Sequence, residues 1–488
     1  MKKLSRTALH GAGLTTFVTM GAGIAHLAIV LPIIARIIPP EQFGLLGMAM
    51  SVLVFFLHFS DFGISAALVR EEDPSDELWM SAFLMNLGFA CVLAALVFVS
   101  APLIGMFYAN EQVVPIVRVL AFLVVIHGLL LAPFSLLQRE MRFNTIAIID
   151  ASAFVIASVV VVSAALNGLG VWALVLQHLT LSVVKFCATL SVSRFPFAFT
   201  FNAGEIRRVL PFTLNLSGAS MIGILNRNLD NILVGRYLGA EALGFYGRAY
   251  RIMTTPMQGI TAGANFALYP VMAKLQQDRP YLREMYVKSQ FIIATISFPI
   301  MIGLALVSSP LVDLILGPRW TPIVPLLSWL LLVGLIQSML PFSHTVWKVV
   351  GKTSVLVRWS AIRFFGFTGA FVFGVSTSSL TNLVIAYFVV NAALLLPYLS
   401  QTCKEIEIEF SYLLRSFLPP AMSSLIMVAA VLLVRTAFDL PSGPAELFFV
   451  IPIGAAVYCG SFYLFFRSVS TELAVEARAF FSGSSANG

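Results

Sequence analysis

Apolar stretches long enough to cross a lipid bilayer follow one another along nearly the whole chain. A transmembrane helix needs about 20 consecutive, mainly apolar residues, and the sequence offers about 14 windows of that kind. These stretches lack the alternation of apolar and polar residues that marks the strands of a membrane barrel. The sequence therefore predicts an all-α integral membrane protein with about 14 transmembrane helices.

The predicted helices form three groups. The first six cover residues 9–38, 42–69, 76–107, 113–137, 144–167 and 169–192. The next six cover residues 205–236, 241–273, 284–315, 322–348, 353–375 and 378–402, and the last pair covers 414–436 and 445–467. This grouping predicts an N-terminal six-helix lobe (1–200), a C-terminal six-helix lobe (201–403), and two additional helices with a cytoplasmic tail (404–488).

Charge is scarce and unevenly placed. Only 11% of the residues are charged, against about 25% in a soluble domain. Most of the Lys and Arg residues lie in alternate connections, which the positive-inside rule assigns, together with both termini, to the cytoplasm. The net charge of +7 therefore reflects membrane topology and does not indicate nucleic-acid binding. The four cysteines are widely separated, so neither a metal site nor a disulfide framework is predicted.

An internal duplication is visible at an offset of 200 residues. Residues 36–49 align without gaps to residues 236–249, and five identical pairs coincide at 36/236, 41/241, 44/244, 47/247 and 49/249. Both copies fall at the predicted outer connection between the first and second helix of a six-helix set. Six helices separate the copies, so they share one orientation. Such parallel repeats are typical of secondary transporters.

The segment from Arg227 to Pro256 carries the most specific motif, R-x-L-D-x-I-L-V-G-R-x-L-G-x-x-x-L-G-x-Y-x-R-A-Y followed by Pro. This pattern resembles the polysaccharide transporter family, which includes the O-antigen and exopolysaccharide repeat-unit flippases of the multidrug/oligosaccharidyl-lipid/polysaccharide exporter superfamily. The resemblance implies two lobes around a central cavity that closes alternately toward each side. It also implies a bacterial inner-membrane protein that carries polyprenyl-diphosphate-linked oligosaccharide to the periplasmic leaflet, and is not an enzyme.

Four arginines lie about 10 Å or more from the nearer end of their predicted helices, at depths where charge is costly and usually functional. Arg227, Arg248, Arg251 and Arg363 are predicted to line the cavity that binds the diphosphate, because guanidinium groups form bidentate hydrogen bonds with phosphate oxygens. Two other interpretations stay open. Arg227 and Asp230, three residues apart, would neutralise each other, and Arg248 would extend its side chain to the membrane interface.

Carboxylates and aromatic residues supply the remaining candidates. Asp61 and Asp230 are candidate coupling or gate residues, with H⁺ or Na⁺ as the coupling ion, although a packing role accounts for Asp61 equally well. Asp150, close to the cytoplasmic side, is expected to pair with Arg142 or Arg139. The candidates for stacking on sugar rings are Tyr246, Tyr250 and Trp359.

Three other functions remain open at this stage. A multidrug exporter of the same superfamily would expose carboxylates to its cationic substrates, whereas the candidate charges here are mostly arginines. A membrane glycan polymerase or ligase usually needs a sizeable outer loop, and every connection here is short. A scaffold without transport activity would leave the intramembrane arginines unexplained. The sequence predicts no cofactor or metal; the expected partners are the bilayer, the lipid-linked saccharide, and polysaccharide polymerase and chain-length or export proteins.

Overall fold

The computed structural model describes residues 18, 20–61, 64–71, 74–197, 201–274, 278–438 and 443–465. These residues are almost entirely helical, and no strand occurs among them. Twelve helices are long and apolar enough to cross a membrane. Two further helices are the halves of one long helical segment, Ala203–Lys274, on either side of Gly239. The prediction of an all-α integral membrane protein is confirmed.

We number the helices α1 to α14. In the first half of the chain they are Met20–Ile37, Pro40–Asp61, Asp76–Tyr108, Val113–Arg139, Phe143–Leu166 and Val171–Val192. Helices α7 and α8 are residues 203–238 and 240–274. The remaining six are Arg279–Leu306, Pro318–Val349, Thr353–Ser376, Leu380–Glu405, Phe410–Ala437 and Gly443–Phe465. A short helix, Ile64–Arg70, follows α2. The predicted start of α1 at residue 9 lies outside the described residues.

Local sequence signals explain where several helices begin and bend. The Ser75 hydroxyl accepts a hydrogen bond from the Leu78 amide at 3.1 Å and caps α3, whose first turn carries Asp76 and Glu77 beside the positive end of the helix dipole. Between α7 and α8, Gly239 adopts φ 89° and ψ 179°. Only glycine adopts this conformation readily, so the chain turns there.

The surface of the bundle is apolar, as a protein in lipid requires. Large hydrophobic side chains are exposed along several helices, for example Val99 in α3, Val159 in α5 and Phe448 in α14. A soluble protein rarely exposes such extended apolar surface. The many long apolar helices and the exposure of their hydrophobic side chains together identify a multi-pass membrane protein.

The chain divides into two compact units. The first contains the chain up to Ala249 together with Ile315–Trp320 and Thr368–Leu383, and the second contains Tyr250–Leu314, Thr321–Phe367 and the chain from Val384 onward. In the first unit α3 packs along α4, and α4 also contacts α2 and α6. In the second unit α9 packs against α10 and α13, and α13 packs against α14. The predicted lobe boundaries at residues 200 and 403 stay a prediction.

Candidate functional site

Helices α2 and α8 cross so closely in the first unit that no side chain fits between them. A Cβ atom on Gly44 would lie 1.6 Å from the Ala240 carbonyl oxygen, and a Cβ on Gly244 would lie 2.0 Å from the Pro40 carbonyl oxygen. The two contacts are reciprocal, because 44 and 244, like 40 and 240, are separated by 200 residues. The offset inferred from the sequence thus reappears in space as a contact of the kind that relates two-fold copies. We call this contact the glycine crossing.

Trp320 covers the glycine crossing at the predicted outer side. Its indole is fully buried, and its Nε1 donates a hydrogen bond to the Ala35 carbonyl at 2.9 Å. The ring makes edge contacts with Phe43 at 5.4 Å and Phe245 at 5.9 Å between centroids. Sequence reasoning missed Trp320. An aromatic residue two positions after the Gly317-Pro318 pair, in the first turn of α10, was the available signal.

Arg248 lies next to the glycine crossing. Its guanidinium carbon stands 4.7 Å from the centre of the Phe43 ring, a geometry that favours a cation held over an aromatic face. The side chain is half-buried and interacts electrostatically with His178 in α6. The structure therefore holds Arg248 against α2, inside the first unit.

Asp230 in α7 is buried, and its carboxylate accepts two hydrogen bonds. The Tyr246 hydroxyl donates to its Oδ2 at 2.8 Å, and the adjacent Asn231 amide donates to its Oδ1 at 2.8 Å. Tyr246 belongs to α8 and is fully buried, whereas Arg227 is exposed. In this structure Tyr246 thus supports Asp230 across the Gly239 turn, and the predicted stacking of Tyr246 on sugar rings stays a prediction.

Tyr246→Phe is expected to lower the free energy of unfolding by about 1.5–3 kcal/mol, which is the usual contribution of a hydrogen bond to a charged group. The charged group is the buried Asp230 carboxylate, which loses the hydrogen bond from the Tyr246 hydroxyl. Thermal unfolding of the purified protein in detergent measures this change. Tyr237→Phe is the matched control, since Tyr237 lies two residues before the same turn and its side chain is 63% exposed. Equal stability of the two variants would contradict the supporting role of Tyr246.

The other predicted cavity residues are distributed between the two units. Arg227 is exposed on α7 of the first unit, and Arg251 is exposed just after the boundary, in the second unit. Tyr250 is half-buried. Arg363 belongs to α11 of the second unit, where its guanidinium carbon lies 5.3 Å from the centre of the Phe367 ring. Trp359, one turn before Arg363, is buried.

Asp61 belongs to a group of titratable side chains in the first unit. Its Oδ1 accepts hydrogen bonds from the Ser65 hydroxyl at 2.6 Å and the Ser65 amide at 3.2 Å. His127 in α4 interacts electrostatically with Asp61, His58 and Lys185. We call Asp61, His58, His127 and Lys185 the titratable cluster. It draws on α2, α4 and α6.

Lys185 also corrects one sequence prediction. Asp150 was expected to pair with Arg142 or Arg139, but its Oδ1 lies 2.7 Å from the Lys185 ammonium. Arg142 instead donates to the Val192 carbonyl at 2.8 Å, and Arg139 donates to the Glu71 carbonyl. The packing of α5 along α6 decides the partner, and sequence separation does not reveal that packing.

An apolar groove lies in the second unit between α9, α13 and α14. Its volume is about 460 Å³, and its lining includes Pro299, Gly303, Met427, Val431 and Gly454. Small residues such as Gly303 and Gly454 leave space between the helices. The sequence predicted α13 and α14 as two additional helices but did not predict a groove.

Comparison with known proteins gives a consistent family and fold. The sequence model of a family described as "Polysaccharide biosynthesis protein" matches residues 33–325. The chain is similar to the succinoglycan biosynthesis transport protein ExoT of Rhizobium meliloti, with 26% identity over 92% of each chain. It is also similar to the lipopolysaccharide biosynthesis protein WzxC of Escherichia coli, with 28% identity over 78% of this chain and 77% of that protein. The teichuronic acid biosynthesis protein TuaB of Bacillus subtilis is 26% identical over 95% of this chain and 96% of that protein.

Two solved structures share the fold at low sequence identity. The lipid II flippase MurJ in an inward closed conformation superposes with a TM-score of 0.75 and 15% identity, over 93% of this chain and 99% of that chain. An inward-facing multidrug resistance MATE family transporter superposes with a TM-score of 0.62 and 16% identity, over 80% of this chain and 99% of that chain. At this identity the likeness establishes the fold alone.

Proposed function

The chain belongs to the polysaccharide biosynthesis protein family, and from that premise we propose that it is a flippase for lipid-linked oligosaccharide. Its substrate would be a polyprenyl diphosphate bearing an oligosaccharide repeat unit, moved from the cytoplasmic to the periplasmic leaflet for exopolysaccharide or O-antigen synthesis. Movement would follow alternating access. The observation that carries the proposal is a set of arginines on membrane helices of a transporter fold, with Arg227 and Arg251 exposed and Arg248 held over Phe43.

The charge of these residues favours an anionic substrate. Arginine stays protonated at any physiological pH, and its planar group binds two phosphate oxygens at once. A diphosphate that enters a low-dielectric region loses hydrating water, and guanidinium donors can replace the hydrogen bonds of that water. A cation would gain no such compensation from arginines, because they carry the same charge. A multidrug exporter for cations is therefore the weaker proposal, and the same experiment tests it.

The apolar groove supplies a complementary surface for the carrier. A polyprenyl chain is apolar throughout, and the groove between α9, α13 and α14 is lined by aliphatic and small side chains. We propose that part of the polyprenyl chain lies in the groove while the diphosphate binds the predicted cavity arginines.

The proposed location is the bacterial inner membrane, with both termini in the cytoplasm, which follows from the positive-inside distribution of Lys and Arg. Polysaccharide polymerase and chain-length or export proteins are the proposed protein partners, because they would consume the translocated repeat unit. The connections among the described helices are short, for example residues 109–112 and 140–142, and leave little room for an enzymatic domain of a polymerase or ligase.

The titratable cluster is the proposed coupling site for H⁺ or Na⁺. Asp61→Asn is expected to abolish the stimulation of transport by an ion gradient, because the amide cannot carry the charge of the carboxylate. The amide oxygen can still accept the Ser65 hydrogen bonds, so the fold should persist. Transport in proteoliposomes with and without imposed gradients measures the effect. Glu111→Gln, an exposed change in the α3–α4 connection, is the control, and full stimulation of Asp61→Asn would contradict the proposal.

The function is tested by mass spectrometry of polyprenyl-linked lipids from a strain that lacks this protein. A glycosidase added to the periplasm cleaves only saccharides in the periplasmic leaflet and so reports the leaflet in which each lipid lies. We expect a complete lipid-diphosphate repeat unit that accumulates and resists the glycosidase. Accumulation of glycosidase-sensitive lipid would instead place the function downstream, in polymerisation or ligation. Unchanged lipids together with sensitivity to cationic dyes would favour a drug exporter.

A further inference from the structure

Four aromatic side chains of the second unit form a cluster around Tyr398. The Tyr398 ring lies 4.8 Å from the Trp347 ring, 5.2 Å from the Trp359 ring and 5.8 Å from the His344 ring, centroid to centroid. His344 and Trp347 belong to α10, Trp359 to α11 and Tyr398 to α12. We call these four residues the aromatic cluster.

Three hydrogen-bond donors in the aromatic cluster lack acceptors. Within the part of the chain that the structure describes, Trp347 Nε1, Trp359 Nε1 and the Tyr398 hydroxyl have no hydrogen-bond partner. The exposed fractions of the three residues are 0%, 7% and 1%. The two indoles that carry such donors both pack against the Tyr398 ring, so three unpaired donors are concentrated in one layer of packed side chains.

The cluster differs in this respect from other buried tyrosines of the second unit, although two further atoms of that unit also have no partner among the described residues: Gln290 Oε1 and Ser423 Oγ. Two other buried tyrosines there are satisfied: the Tyr286 hydroxyl lies 3.0 Å from the Ser343 hydroxyl, and the Tyr458 hydroxyl donates to the Thr295 carbonyl at 2.8 Å. A buried donor without an acceptor lowers stability, and phenylalanine would fill similar space without that loss. Donors that bind an acceptor in another state of the protein explain why tyrosine and tryptophan stand at these positions.

Arg363 gives the cluster its charge. It interacts electrostatically with both His344 and Tyr398. Among the described residues no carboxylate forms an ion pair with Arg363. A positive charge, three donors and flat apolar ring faces complement a ligand that carries both oxygen acceptors and apolar ring surface. A sugar phosphate has this chemistry.

We infer that the aromatic cluster and Arg363 bind the sugar-phosphate head of the lipid carrier during one step of transport. This inference rests on the proposed function and adds a specific binding site to it. The donors are covered in the present conformation, so binding requires a movement of α10 or α11. The turn between these helices contains Gly351 at φ 74°, a conformation that tolerates little besides glycine.

The test removes the donors and keeps an aromatic ring at each position, in a triple variant Trp347→Phe, Trp359→Phe and Tyr398→Phe. Thermal unfolding in detergent and binding by isothermal titration are measured on the same samples. The probes are undecaprenyl diphosphate without sugar and the saccharide-bearing polyprenyl diphosphate extracted from the deletion strain. We expect affinity lowered at least tenfold, with a lower thermal stability because the two phenyl rings are smaller than the buried indoles that they replace. Tyr398→Phe alone removes one donor at nearly constant volume and is expected to weaken binding with unchanged or raised thermal stability. Trp329→Phe is the matched control for the change of ring size, since Trp329 packs against Phe388 with 5.2 Å between centroids in the same unit.

The two probes separate the sources of the acceptors. Weaker binding of both probes would assign the donors to the diphosphate, and weaker binding of the saccharide-bearing probe alone would assign them to the sugar. Unchanged affinity for both probes overturns the inference. If the wild-type protein binds neither probe, the proposed function itself fails, which is a distinct result.

Discussion

Gly44→Ala is expected to abolish transport. The added Cβ would lie 1.6 Å from the backbone oxygen of Ala240, and no side-chain rotation can relieve a clash with backbone. Helices α2 and α8 must therefore separate at the glycine crossing, at a cost of about 1–3 kcal/mol or more in the closed form. Under the proposed alternating access, we expect this crossing to form and to part in each cycle. A variant that cannot form it should stay open at the predicted outer side.

Two measurements check this expectation. The first is export of repeat units in cells that carry the variant. The second is labelling of Leu243→Cys by an impermeant maleimide added from the periplasm, in a background without the native cysteines. Leu243 is only 2% exposed in wild type, so slow labelling should become fast when Gly44→Ala is present.

Gly247→Ala is the matched control for the glycine crossing. Gly247 lies on the same helix, one turn beyond Gly244, and a Cβ there would meet no atom within 4 Å. It should leave transport and labelling unchanged, because it adds the same methyl group without a clash. Full export by Gly44→Ala, with Leu243→Cys still protected, would show that the crossing is not a moving contact.

The helices were predictable from the sequence because each apolar window is long enough to cross a bilayer, and a single segment in lipid satisfies its backbone hydrogen bonds by forming a helix. The turn at Gly239 was also predictable, since the glycine falls between Arg236 and Glu241 at the duplicated outer connection. The duplication itself was visible at 44/244. The close contact between the two copies, which leaves no space for a Cβ, was not predictable. Identical residues in two repeats do not reveal how far apart the repeats lie in space.

Partners of the charged residues were the least predictable part of the site. Helical spacing suggested Arg227 for Asp230, but the chain reverses at Gly239 and brings Tyr246 to the carboxylate instead. Asp150 binds Lys185 on the neighbouring helix. The partner of a charged residue depends on how each helix is rotated about its axis. An apolar sequence does not reveal this rotation, because lipid-facing and buried faces use the same residue types. The groove between α9, α13 and α14 escaped prediction for the same reason.

Arg248→Ala is expected to reduce export by roughly 30-fold or more while the protein still inserts and folds. Loss of a desolvated, charge-assisted contact with phosphate oxygens costs about 2–5 kcal/mol. The same result is expected for Arg363→Ala in the second unit. Arg248→Lys should restore little, because an ammonium group keeps the charge but cannot offer two parallel donors to a diphosphate. Export per immunodetected protein measures all three variants.

Arg118→Ala separates substrate binding from ring stacking. The Arg118 guanidinium carbon lies 5.4 Å from the Phe98 ring centre, a contact similar to that of Arg248 with Phe43, but Arg118 is exposed near the start of α4. If stacking alone explains Arg248, the two alanine variants should behave alike. Normal export by Arg248→Ala would mean that its side chain only anchors α8 against α2, whereas selective loss in Arg248→Ala, with Arg118→Ala unaffected, supports a diphosphate contact beside the glycine crossing.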